Sequence, residues 1–168
     1  MDRTKTLQAL GSGFAGALAV TALNESARRV IPHAPRLDAL GMRALARTFR
    51  QAGETPPQGE RLRGAALAGD LLSNTLYYSL AAAGGKRRAW LLGTLLGAGA
   101  GAGAAWLPPR IGLGRQPGET AATRAMTVAW YLAGGLAAAG ALTLLNRYSP
   151  ETSRSRADEG RELPLLEA

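Results

Sequence analysis

Residues 7–24, 89–107 and 125–145 contain no charged side chain, and residues 64–85 contain one, Asp70. Crossing roughly 30 Å of hydrocarbon takes about 20 mainly apolar residues in helical form. In that medium every backbone N–H and C=O must be satisfied within the protein, which restricts spanning structures to helices and closed barrels. Four windows of nearly this length predict an all-α chain, a four-helix transmembrane bundle. The spans are expected at about residues 7–24, 64–85, 89–107 and 125–145, within a single membrane domain over residues 1–148. Residues 149–168 are polar and of mixed charge, and are expected to be a disordered tail.

The flanks agree with this partition. Lys86, Arg87 and Arg88 separate the second window from the third. Trp90 and Trp106 stand at opposite ends of the third, about 24 Å apart on a helix rising about 1.5 Å per residue, which suits two interfacial aromatic belts. Arg124 precedes the fourth window, and Arg147 and Tyr148 follow it. The first window has an alternative reading as a signal peptide, with Arg3 and Lys5 before it and Ala17-Leu18-Ala19 as a cleavage-like site. Against that, Gly11, Gly13 and Gly16 form a small-residue packing face that a discarded peptide has no use for. Lys and Arg divide almost evenly between the two sides; the balance leans to a cytoplasmic placement of residues 25–63 and 108–124.

The connection at residues 25–63 carries its own helical pattern. Pro32 and Pro35 precede it, and Leu37, Leu40, Gly41, Ala44, Leu45 and Phe49 share one face at 100° per residue. Arg36, Arg43, Arg47 and Arg50 lie on a stripe beside that face. The spacing predicts an interfacial amphipathic helix over about residues 36–50, with the four arginines on a lipid surface rather than on nucleic acid. Residues 108–123, with Pro108, Pro109, Gly112, Gly114 and Pro117, read as an irregular loop.

On the second window, Asp70, Ser73, Asn74, Tyr77 and Tyr78 fall on one helical face. A carboxylate at membrane depth costs roughly 2.5–3.5 kcal/mol on insertion scales. The face is therefore expected to turn inward, as a polar intramembrane candidate site or as a network that ties helices together. Arg124 and Arg28 are the cations the chain offers it across the bundle. Asn24 and Glu25 close the first window, with Arg28 and Arg29 one turn on, which suggests a local ion pair.

The third window repeats small residues at Gly93, Gly97, Gly101 and Ala105, a spacing that lets a second backbone approach closely. It lacks the Lys-Ser/Thr ending and preceding strand of a phosphate loop. Gly11-Ser12-Gly13 has no base nearby, since the single histidine, His33, lies beyond the span. The chain has no cysteine, and one histidine alone does not hold zinc. No catalytic group, metal or cofactor is expected, and no enzyme activity.

The strings Leu23-Asn24-Glu25, Ala68-Gly69-Asp70 with Ser73-Asn74-Thr75-Leu76-Tyr77-Tyr78-Ser79, and Met126-Thr127-Val128-Ala129-Trp130-Tyr131 resemble a family of small bacterial multi-span membrane proteins with no assigned activity. The resemblance covers roughly residues 7–145 and implies a bacterial inner-membrane setting, with no functional residue to carry over. The expected function is that of a structural or accessory membrane protein, with membrane lipids, further copies of itself or other membrane proteins as partners. The alternative is a small oligomeric transporter or channel that uses the Asp70 face.

Overall fold

The computed structural model describes residues 3–115 and 119–148 of the chain. Among them the protein is all-helical: α1 (Arg3–Val30), α2 (Leu37–Gln51), α3 (Gly59–Ser79) with a 3-10 extension (Leu80–Gly84), α4 (Gly85–Arg110) and α5 (Ala121–Tyr148). Three segments, Arg3–Val30, Arg88–Arg110 and Ala121–Tyr148, are long and apolar enough to cross a membrane. The second expected span is not among them. The helix is there, but Glu60, Arg61, Arg63 and Asp70 lower its apolarity. The tail at residues 149–168 lies outside the described residues.

The core combines many buried alanines with a few large side chains, Tyr78, Trp130, Tyr131 and Leu142. α5 packs against both α1 and α4, α1 against α3, and α2 against α3. The closest approaches fall at glycines. A Cβ on Gly16 of α1 would lie 2.7 Å from the Gly134 carbonyl of α5. The expected stripe on α4 meets α5 directly. A Cβ on Gly97 would lie 2.7 Å from Leu132 Cα, and one on Gly101 2.7 Å from Val128 Cα. A Cβ on Gly93 would overlap the Gly135 carbonyl, and Ala105 continues the stripe as a buried residue. Gly13 of α1 opposes the backbone of α3 at Thr75 and Ser79. α1 is thus a packed member of the bundle.

Two helix ends depart from the expectation. Residues 108–110 continue α4 instead of opening a loop. A proline forfeits one backbone bond and crowds the preceding turn, yet in the last turn of a helix the orphaned carbonyls can be satisfied from beyond it. Leu113 N donates to Pro108 O (2.8 Å) and Gly112 N to Pro109 O (3.4 Å), with Gly112 at φ +76°. This is a Schellman closure. α2 ends the same way at Gly53, where Glu54 N donates to Phe49 O (2.9 Å) and Gly53 N to Arg50 O (3.2 Å). At the start of α5, Thr123 N donates to Thr120 Oγ1 (3.1 Å) and Thr120 N to Thr123 Oγ1 (3.2 Å). That is a reciprocal cap. Thr123 Oγ1 also donates to His33 O (3.1 Å), which ties the α1–α2 connection to α5.

The outer surface is apolar. Leu72, Leu76 and Leu80 are more than half exposed on α3, as are Leu91 and Leu95 on α4. Trp90 and Trp106 are both exposed at opposite ends of α4. So broad an apolar exterior marks an interaction surface, and three of the helices beneath it are long and apolar enough to cross a membrane.

Backbone contact at glycine sets a stability prediction. Overpacking a close site typically costs about 1–3 kcal/mol. Gly97→Leu and Gly135→Leu are expected to lower the melting temperature in detergent, while Gly69→Leu, whose side chain would meet open space, leaves it unchanged. Equal melting of all three would contradict the packing described.

Candidate functional site

α3 and α4 are joined by a short turn but make few direct contacts. Between them lies a cavity of about 600 Å³, open to the outside of the bundle and covered by α2. Its polar lining comes from Asp70, Ser73, Asn74 and Tyr77 on α3 and Tyr131 on α5. Asp70 and Tyr77 are half-buried, Asn74 is 8% exposed, and Ser73 is exposed at the edge. Four members of the expected polar face are therefore brought to one cavity.

Tyr78, the fifth, departs from that grouping. The extra 100° of helical turn carries it into the core, where it is fully buried against Gly16 and Gly134 and its hydroxyl donates to Tyr131 O (2.7 Å). It fastens α3 to α5. The Tyr77 hydroxyl donates to Leu96 O (3.0 Å) across to α4, and the two rings meet edge to face, 5.5 Å between centroids. Ser73 Oγ donates to Asp70 O (3.1 Å) within its own helix. Asn74 lies close enough to Asp70 for their side chains to interact electrostatically, yet its Nδ2 is buried without a hydrogen-bond partner of normal geometry.

Neither cation expected for Asp70 reaches it. Arg28 is held by Glu25 (2.8 Å) and Asp38 (3.0 Å), and Arg124 by Glu119. Arg63 pairs with Glu25 at 3.5 Å. Among the described residues no ion pair involves Asp70. The Glu25–Arg28 pair was legible from its spacing; Asp38 and Arg63, which widen it into a junction of α1, α2 and α3, were not. Beside this junction is a second, small cavity of about 30 Å³. Thr21 Oγ1, Asn24 Oδ1 and Asp38 Oδ1 border it, each buried without a hydrogen-bond partner, and Asp70 bounds it too. Asp70 thus stands between the two spaces.

α2 differs most from its expected role. Its apolar side, with Leu37, Leu40, Gly41 and Ala44, lines the large cavity. Two of the arginines expected at a lipid surface also hold the protein itself. Arg43 Nη1 donates to Leu113 O (3.0 Å) and Arg115 O (3.2 Å), and Arg47 Nη1 donates to Ile111 O. These carbonyls follow the Schellman closure of α4, where the chain has run out of backbone donors. Arg36 and Arg50 are exposed. The periodicity identified the amphipathic helix correctly but could not show that its apolar face had a partner inside the chain.

Ser12 is fully buried, with its hydroxyl donating to Ala9 O (2.8 Å), and has no base beside it. His33 is exposed at φ +62°. Among the described residues no three His, Cys, Asp or Glu side chains gather to hold a metal.

The arginine latch gives a local prediction. Charge-assisted hydrogen bonds contribute about 1.5–3 kcal/mol when shielded and less when exposed. Arg43→Ala with Arg47→Ala should speed amide hydrogen exchange at Gly112 and Leu113 by ~10-fold, about 1.4 kcal/mol of local opening; Arg50→Ala should not. Unchanged exchange in the double variant would show that the loop holds itself.

No family model, curated protein or solved structure matches the chain.

Proposed function

We propose that this protein is a non-enzymatic, multi-pass protein of the bacterial inner membrane, with α3 as its fourth span, and that it binds a small amphiphilic molecule between α3 and α4. One observation carries this reading: the polar residues of α3 converge on a cavity of about 600 Å³ whose other walls are apolar. Such a space, mostly apolar with a few directed polar groups, has the character and size of a ligand site. The outward side of α3 bears Leu72, Leu76 and Leu80, which suits contact with lipid. A purely structural role explains Tyr78, which is consumed in packing, but gives no reason to keep Asp70 and Asn74 facing an open space. Lipids and further copies of the chain are natural partners for the apolar exterior.

Transport of the bound molecule is a second reading. It is favoured by the position of Asp70, which bounds both the large cavity and the small one on the α1–α2 side. Uptake into proteoliposomes, compared between the wild type and Asp70→Asn, separates carriage from binding alone.

Gly103 lines the large cavity, and a Cβ there would meet nothing within 4 Å. Gly103→Phe should fill the space without disturbing the fold. With the neutral fluorophore N-phenyl-1-naphthylamine in dodecylmaltoside, the wild type should bind saturably above protein-free micelles. At probe concentrations well below the dissociation constant, Gly103→Phe should lose at least ~90% of that signal, a tenfold weakening equivalent to about 1.4 kcal/mol, with its melting temperature preserved. Full retention of binding in a folded Gly103→Phe variant would refute a ligand site in this cavity.

A further inference from the structure

We propose that the ligand of the α3–α4 cavity is an organic ammonium amphiphile, with Asp70 as its counter-ion and Asn74 as donor to an oxygen next to the charged nitrogen. This deepens the binding reading above and rests on it.

The first observation is the absence of a cation partner. Asp70 lines a mainly apolar cavity, no ion pair involves it among the described residues, and Arg28, Arg63 and Arg124 pair with other acids: Arg28 with Glu25 and Asp38, Arg63 with Glu25, Arg124 with Glu119. A carboxylate in such surroundings is stabilised by an opposite charge brought in from outside. The second observation concerns the neighbour of Asp70. Asn74 is 8% exposed, lines the same cavity and lies beside Asp70, with an Nδ2 that has no hydrogen-bond partner of normal geometry. A buried unsatisfied donor costs about 1–3 kcal/mol, and an acceptor oxygen on the ligand removes that cost.

The rest of the wall selects the kind of cation. Leu40, Ala44, Ala100 and Leu107 give most of the wall an apolar character, which suits a cation that carries hydrocarbon. Tyr77 and Tyr131 do supply aromatic surface beside Asp70. Aromatic faces attract weakly hydrated quaternary ammonium groups, and a carboxylate adds attraction for the positive charge itself. The apolar remainder of the cavity then accommodates a hydrocarbon tail.

The test compares lauroylcholine with 3,3-dimethylbutyl laurate, its uncharged isostere with the same ester and tail. Binding is measured by equilibrium dialysis on the full chain in dodecylmaltoside, with protein-free micelles as blank. Wild-type protein should prefer lauroylcholine by ~10-fold or more, a modest return for one charge pair of reduced dielectric. Asp70→Asn should bind the two equally. Asn74→Leu should weaken lauroylcholine but not dodecyltrimethylammonium, which lacks the ester. Equal wild-type affinity for the charged and neutral esters overturns the proposal, and so does a preference that survives in Asp70→Asn. If Asp70→Asn does not fold, the wild-type comparison decides alone. Equal binding of both esters, lost in Gly103→Phe, would retain the ligand site and reject only its charge selectivity. Binding of neither above the blank would reject both.

Discussion

The architecture depends on two adjacent glycines in α5. Gly134 faces α1 and Gly135 faces α4, so a single helix meets two backbones at one level. Gly16 and Gly93 are the opposing residues, each also without a side chain. In a membrane, where lipid tails are as apolar as leucine, close van der Waals contact is a principal attraction between helices. The twin glycines therefore fix α1, α5 and α4 as a packed layer. α3 is drawn to α1 through Gly13 and to α5 through the Tyr78 hydroxyl. It is thereby held away from α4, apart from the Tyr77 bridge. The cavity follows from where the small residues are: contacts tighten on one side of the bundle and a space opens on the other.

α2 completes this arrangement. An amphipathic helix alone would lay its apolar face on lipid, but here the gap between α3 and α4 offers that face a partner. The arginines beside it find the free carbonyls after α4. Ion pairing at Glu25, Arg28, Asp38 and Arg63 joins the start of α2 to α1 and α3. One consequence is that Arg28 and Arg63 are used to hold helices together, and Asp70 faces the cavity without an ion pair among the described residues.

Much of this was legible in the sequence because it depends on periodicity. The charge-free windows marked α1, α4 and α5, and the offsets among Asp70, Ser73, Asn74 and Tyr77 placed them on one face. The glycine spacing on α4 marked a close contact. What the sequence could not show was pairing. Gly134-Gly135 reads as two more glycines until the helices on either side are known. Tyr78 follows Tyr77 directly, yet one turns to the cavity and the other to the core. Arg43 and Arg47 are periodic with Arg36 and Arg50, but their partners lie 64 to 72 residues away, in a loop that no local pattern connects to them. Pro108 and Pro109 signalled a break. The helix ran on to Arg110 because bonds from Gly112 and Leu113 closed its end.

The central claim is that the Asp70 face of α3 looks into a protein cavity while its leucine face looks at lipid. Single cysteines placed one at a time along residues 66–80, in a chain with none of its own, test this in native membranes. Each is probed with a lipid-phase thiol reagent and, separately, with a small water-soluble one. With α3 spanning the membrane as proposed, lipid-phase labelling is expected at positions 72 and 76, with positions 70, 74 and 77 protected from it. Strong lipid-phase labelling at 70, 74 and 77, with protection at 72 and 76, would turn the helix around and contradict the account.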